Sequence, residues 1–143
     1  MKNTQKAQRQ VVVTEFDMER LEALIDKARS TQTRDSKNLK ELGEELVRAE
    51  VVDPAGIPPD VITMNSKVCL QDLDSEEELV YTLVFPNEAD LASGKISILA
   101  PVGTAMIGFR TGDRITWPVP GGMKNLKVKK ILYQPEAAGD YHL

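Results

Sequence analysis

Apolar residues along this chain fall into two kinds of spacing, and the change from one to the other divides it. From Met18 the apolar positions are Met18, Leu21, Leu24, Ile25 and Ala28, three and four residues apart, which predicts one face of an α-helix. Thr14 followed by Asp17 supplies a Ser/Thr-x-x-acid start, and Val11-Val12-Val13 before it reads as a short extended entry. Asp17, Glu19, Arg20, Glu22, Asp26 and Lys27 are expected mostly on the solvent face. Ser30 to Asn38 is polar. A second helix is expected from about Leu39 to about Val51, with Leu39, Leu42, Leu46, Ala49 and Val47 as its stripe and Gly43 as a weak point inside it. Two such helices joined by a short connection predict an antiparallel hairpin about 20 Å long at 1.5 Å per residue.

Asp53-Pro54-Ala55-Gly56-Ile57-Pro58-Pro59-Asp60 ends the helical pattern and reads as a linker over 53–60. Beyond it the spacing becomes that of strands. Strands are expected at Lys67–Leu73, Leu79–Phe85 (expected to be central), Ile96–Leu99, Arg114–Val119 and Leu126–Tyr133. Asp74 to Glu78 forms an acidic turn, and Pro120-Gly121-Gly122 a hairpin turn. Pro101 to Phe109 is consistent with a short helix. Lys129-Lys130 interrupts the last alternation and suggests a β-bulge. The fold class is α+β, organised as a polar, disordered start (1–10), a helical hairpin (11–52), the linker, and a β-rich domain with a polar tail (61–143).

Composition narrows the function. The net charge is −4. Residues 1–52 hold ten basic and ten acidic side chains, leaving eight and twelve for 53–143 (18 − 10 and 22 − 10), so the second part carries the whole excess. Lys124, Lys127, Lys129 and Lys130 form the only local basic cluster, read most simply as lysines on an exposed strand face. No sequence-specific nucleic-acid binding is expected from the chain alone. The single cysteine, Cys69, lies in an apolar run and reads as a core residue in a reducing cytoplasm. Met1 to Gln10 lacks the apolar stretch of a secretory signal, and no run approaches the roughly 18 apolar residues of a membrane span.

Signs of catalysis are missing. The one histidine, His142, lies beside the C-terminus, and one His with one Cys cannot build a usual zinc site. Phosphate-cradle glycine patterns and the Gly-x-Ser-x-Gly elbow are absent. Glu76-Glu77-Glu78 reads as a charged turn that keeps an edge soluble. No metal, cofactor or catalytic residue is expected.

The segment from Gly94 to Asp113 (GKISILAPVGTAMIGFRTGD) is less ordinary. A strand enters a proline loop, a short helix follows, and Gly112-Asp113 turns into the next strand. With Tyr81-Thr82-Leu83-Val84, Glu88-Ala89-Asp90 and Pro120-Gly121-Gly122, it resembles the C-terminal domain of the Gre transcript-cleavage factors, the GreA/GreB family, over roughly residues 61–133. Asp60 to Ser66, Ala100 to Gly103 and Tyr133 to Tyr141 are similar to the Rnk branch, the regulators of nucleoside diphosphate kinase.

That resemblance implies an FKBP-like antiparallel β domain wrapped on a short helix, and docking of that domain on RNA polymerase beside its secondary channel; the protein is expected to be a cytoplasmic monomer. The proline loop implied in docking falls on Leu99, Ala100, Pro101, Val102 and Gly103. Gre factors often carry an acid and a serine before the proline. Leu99 and Ala100 stand there in this chain, which favours an apolar contact. Gre factors also have a much longer coiled coil, whose tip acids help hold a magnesium ion in a string like Asp-Leu-Arg-Glu-Asn-Ala. No such string occurs here. The tip has one acid, Asp35, between Arg34 and Lys37, a poor site for a cation that favours several oxygen ligands. The expected function is therefore docking at the Gre site without stimulated cleavage, competing with Gre factors or modulating them. Direct binding to nucleoside diphosphate kinase and peptidyl-prolyl isomerisation are the alternatives. The isomerase rests on fold alone, with the seven aromatics spread along the chain.

Overall fold

A computed structural model describes residues 11–30, 36–119, 121–141 and 143. The start expected to be disordered, Arg34 and Asp35 at the tip, Pro120 and His142 lie outside the described residues, as do the side chains of Lys37 and Trp117.

The described residues begin with strand β1 (Val12–Thr14) and helix α1 (Glu15–Ser30). Thr14 caps the helix: its Oγ1 accepts a hydrogen bond from the Asp17 backbone N–H at 3.1 Å. Leu21, Ile25 and Ala28 are buried as their spacing predicts, and Met18 and Leu24 pack at the margin of the core. Asp17 departs from expectation, because it is buried at 2% exposure.

Helix α2 (Ser36–Val47) starts three residues before Leu39 and stops four short of Val51. Leu39, Leu42 and Leu46 face the core, whereas Val47 is 86% exposed and does not belong to the stripe. Glu50–Val52 is strand β2, not helix. It pairs in parallel with β1, Val13 opposite Val51. β-branched Val51 and Val52 resist the helix, and β1 offers a free backbone edge that a helix would leave unused.

The proline-rich stretch is ordered. It makes a 3₁₀ turn at Pro54–Gly56, and Ile57 is buried. Beyond it, residues 60–62 bond to 108–111 through Ile62 N–H to Phe109 O at 2.9 Å and Thr111 N–H to Asp60 O at 3.0 Å.

A five-stranded sheet follows: β3 (Lys67–Asp72), β4 (Glu78–Val84), β5 (Lys95–Ser97), β6 (Arg114–Val119) and β7 (Gly122–Tyr133), in the order β5-β4-β3-β7-β6. Two expectations are corrected here. β3, not the Leu79–Phe85 segment, is central. The sheet is mixed, because β5 joins β4 in parallel while the other pairs are antiparallel. The strand expected at Ile96–Leu99 is cut to three residues by the turn into helix α3 (Pro101–Met106). One bulge falls where the sequence places it: Cys69 pairs with Lys130 and Leu70 with Val128, leaving Lys129 as the extra residue, and a second register shift leaves Leu132 extra between the Lys67–Tyr133 and Val68–Ile131 pairs.

Alternation puts Val68, Leu70, Leu83, Ile115, Leu126 and Val128 on the inner face. They join Leu21, Leu42 and Leu46 of the helices and Met106 of α3 in one contiguous core. Helix α2 touches both α1 and α3, so the helical part bears directly on the segment after the proline loop. The tail is not loose. It forms helix α4 (Pro135–Ala138), and buried Gln134 donates through Nε2 to Pro58 O at 2.8 Å and Val61 O at 2.6 Å.

Candidate functional site

The proline loop leaves β5 under tight local control. Ile98 N–H donates to Val84 O at 2.8 Å, continuing the β5–β4 pairing by one residue. Ser97 then folds the chain back: its Oγ accepts from Leu99 N–H at 3.0 Å and its carbonyl from Ala100 N–H at 3.0 Å. Ala100 is the extended residue before α3, and Pro101 takes the first helical position, where its missing N–H costs nothing. Thr104 Oγ1 donates to Ile98 O at 2.6 Å and clamps the helix onto the strand end.

Gly103 is required by contact. A Cβ at this position would lie 2.0 Å from Ser97 O and 2.9 Å from Ser97 C. The outcome is a rigid knuckle on which Pro101 is exposed, Leu99, Ala100 and Val102 are half-buried, and Gly103 is buried. Four of the five expected residues thus share one apolar outer rim, and Gly103 serves it from beneath by letting α3 close on β5.

A polar centre that sequence reasoning missed lies where α1 meets the sheet domain. Burial pushes the Asp17 carboxyl up to about 6, against the opposing pull of Arg20, which forms an ion pair with it. The Arg20 guanidinium lies 3.9 Å from the ring centre of Phe16 and 4.6 Å from that of Phe85, so one cation joins the helix to the end of β4. Nearby, Thr63 Oγ1 donates to Glu136 Oε1 at 2.8 Å, and Asn65 Nδ2 to the main-chain oxygen of Leu143 at 2.8 Å. The capping pattern at Thr14–Asp17 signals the acid but not its burial.

Burial pushes the Cys69 thiol up, and the acid of Glu78 beside it adds to the shift. Lys124 is paired with Asp72 and Lys129 with Glu78. Among the described residues no group of three or more His, Cys, Asp or Glu side chains could hold a metal ion. No helix there is long and apolar enough to cross a membrane.

Comparison with known proteins adds independent information. Residues 57–133 match the family model for the C-terminal part of the transcription elongation factors GreA/GreB, and residues 9–52 match that for the Rnk N-terminus. The regulator of nucleoside diphosphate kinase of Escherichia coli K12 is 39% identical over 136 residues, covering 93% of this chain and 96% of that protein. Transcription elongation factor GreA of Syntrophotalea carbinolica is 40% identical over 111 residues, 78% of this chain and 70% of that one. A solved GreA/GreB elongation factor from Nitrosomonas europaea superposes with a TM-score of 0.75 at 42% identity, covering 87% of this chain and all of that one. These relatives bear the names of regulators and elongation factors, not of catalysts.

Proposed function

The chain belongs to the GreA/GreB transcription elongation factor family, in the branch with an Rnk N-terminus, and from that premise we propose that it regulates transcription by docking on RNA polymerase at the Gre-factor site without stimulating transcript cleavage. The proline knuckle carries this reading. It offers an apolar, preorganised rim, Leu99 to Val102, held by Ser97, Thr104 and the missing side chain of Gly103. A surface already fixed loses little entropy on binding. The contact falls on the rim of the polymerase secondary channel, made by one copy of the chain.

The helical part supports the absence of cleavage. Read as a hairpin, it has helices of 16 and 12 residues, about 24 and 18 Å at 1.5 Å each. Both are committed to the common core from Leu21 to Ala28 and from Leu39 to Leu46, which leaves little to project down a channel. Its tip offers one carboxylate, Asp35, between Arg34 and Lys37. On this reading the protein blocks or tunes access for Gre-type factors. Residues 61–143 form the FKBP-like docking domain, the linker at 53–60 marks where two modules meet, and the protein works in the cytoplasm.

The test is binding of the purified chain to core RNA polymerase, with Pro101→Asn and a competing Gre factor. Binding that the variant loses and the competitor displaces supports the proposal, provided that backtracked complexes stay uncleaved. Failure to bind at micromolar concentration, or restored cleavage, overturns it. The name of the relative from Escherichia coli favours a second reading, direct contact with nucleoside diphosphate kinase. A pull-down with the purified kinase, in the absence of polymerase, tests it.

A further inference from the structure

The outer face of the sheet, turned away from the core, concentrates positive charge that the linear sequence disperses. Cross-strand pairing fixes its composition, because paired residues share a face. In one row Lys95 lies opposite Thr82, Thr82 opposite Lys67, and Lys67 opposite Tyr133. In the next, Val80 faces Cys69 and Cys69 faces Lys130. In the third, Glu78 faces Gln71, Gln71 faces Lys127, and Lys127 faces Arg114.

The bulge adds one more cation to this face. Lys129 reaches over β3 to pair with Glu78, which also accepts from Cys69 Sγ at 3.7 Å. All the cations are exposed. Apart from Lys129, none has an ion pair among the described residues. Acids are fewer on and beside this face: Glu78 in the third row, paired with Lys129; Asp90, bridged to Lys95; the turn after β3; and Asp140, bonded to the Tyr133 hydroxyl.

From Lys95 on β5 to Arg114 on β6 the band runs diagonally over four strand spacings and four residues, a length of about 24 Å. Lys127 directly opposite Arg114 is a like-charge pair, which destabilises a sheet. We propose that this band is a contact surface for the backbone of duplex nucleic acid, bound without reading its sequence.

Three features select that partner. Lysine binds phosphate as a point charge, and a spread of unpaired lysines is what a phosphate backbone neutralises. Protein interfaces are depleted in lysine and centre on a large apolar or aromatic anchor, whereas in the middle row of this face Cys69 is buried and the exposed apolar side chain beside it is the small Val80. Single strands are held by stacking on aromatic rings, and among the described residues these three rows hold one ring, Tyr133, its hydroxyl already engaged. The length matches about seven base pairs at 3.4 Å each.

The proposal stands apart from polymerase docking, and the test uses the full chain alone. Binding to a fluorescent 20-base-pair duplex of arbitrary sequence is followed by anisotropy from 50 mM salt upward. The expected result is weak binding whose log affinity falls against log salt with a slope of about −4, for four to five phosphates neutralised. Lys127→Glu/Lys130→Glu weakens it at least tenfold. Lys40→Glu/Arg110→Glu, which has the same net charge but lies elsewhere, stays within about twofold of the parent. If the reversed variant does not fold, Lys127→Gln/Lys130→Gln replaces it. Absence of binding at 50 mM salt overturns the proposal. So do equal losses in both variants, or displacement by oligoglutamate as effective, charge for charge, as by unlabelled duplex; that last outcome assigns the face to an acidic protein.

Discussion

Replacing Gly103 by alanine probes the proline knuckle at its tightest point. In an ordinary exposed helix the change stabilises by up to about 1 kcal/mol, because alanine has the higher helix propensity. Here the new methyl carbon would sit 2.0 Å from Ser97 O, 2.9 Å from Ser97 C and 3.2 Å from Ile98 Cα. All three are backbone atoms, so no side chain can rotate away. Relief requires the first turn of α3 to lift from the end of β5 by about 1 Å, a strain in the 1–3 kcal/mol range of overpacked sites and near its top. That movement also stretches the buried bond from Thr104 Oγ1 to Ile98 O, worth about 1 kcal/mol. Against the propensity gain, the net loss is about 3 kcal/mol. For a chain of this size that lowers the melting temperature by about 10 °C. Urea unfolding read by circular dichroism measures it directly. A Gly103→Ala protein as stable as the parent, or more so, would show that α3 does not press on β5 and that the knuckle is not rigid.

Two further perturbations test the polar contacts that join the elements. Burial raises the Asp17 carboxyl from 3.8 to about 6, so the folded state holds this proton more tightly than the unfolded chain. Its contribution is fully present below pH 3.8 and is lost as pH rises through 6, by about 3 kcal/mol in all. The stability of Asp17→Asn relative to the parent should therefore improve by about that amount from pH 4 to pH 7; a pH-independent difference in chemical denaturation would refute the assignment. Gln134→Ala removes both donors to Pro58 O and Val61 O and the acceptor for Ala137 N–H. A loss of about 2–3 kcal/mol is expected, with faster amide exchange in α4, and unchanged exchange there would mean that the tail is not anchored by this side chain.

Much of the fold and part of the candidate site follow from local pattern. The three-and-four spacing from Met18 to Ala28 specifies one buried stripe whatever it packs against. Gly112-Asp113 fixes where β6 begins, and the lysine pair at 129–130 marks the bulge because it breaks a period of two. The Ala100-Pro101 step sets the start of α3, since proline fixes the backbone angle there without losing a needed donor.

Tertiary structure decided the rest. Val51 and Val52 suit a strand or the end of a helix by local preference, and only the free edge of β1 made them a strand. Asp17 has the sequence position of an ordinary acid in a first helical turn, yet the sheet domain closes over it, and that burial is what raises its carboxyl. Strand order is also invisible locally. The most β-rich segment became the neighbour of an edge strand, and β3 took the centre because β7, from far along the chain, pairs on the side that its hairpin partner β4 leaves free. Lys67, Lys95, Arg114, Lys127 and Lys130 are scattered along a sequence of net charge −4, and register alone gathers them on one face. Sequence determines which side of its own strand each residue takes, because that alternation is a property of the backbone. Which residues become neighbours depends on pairings that only the folded sheet fixes.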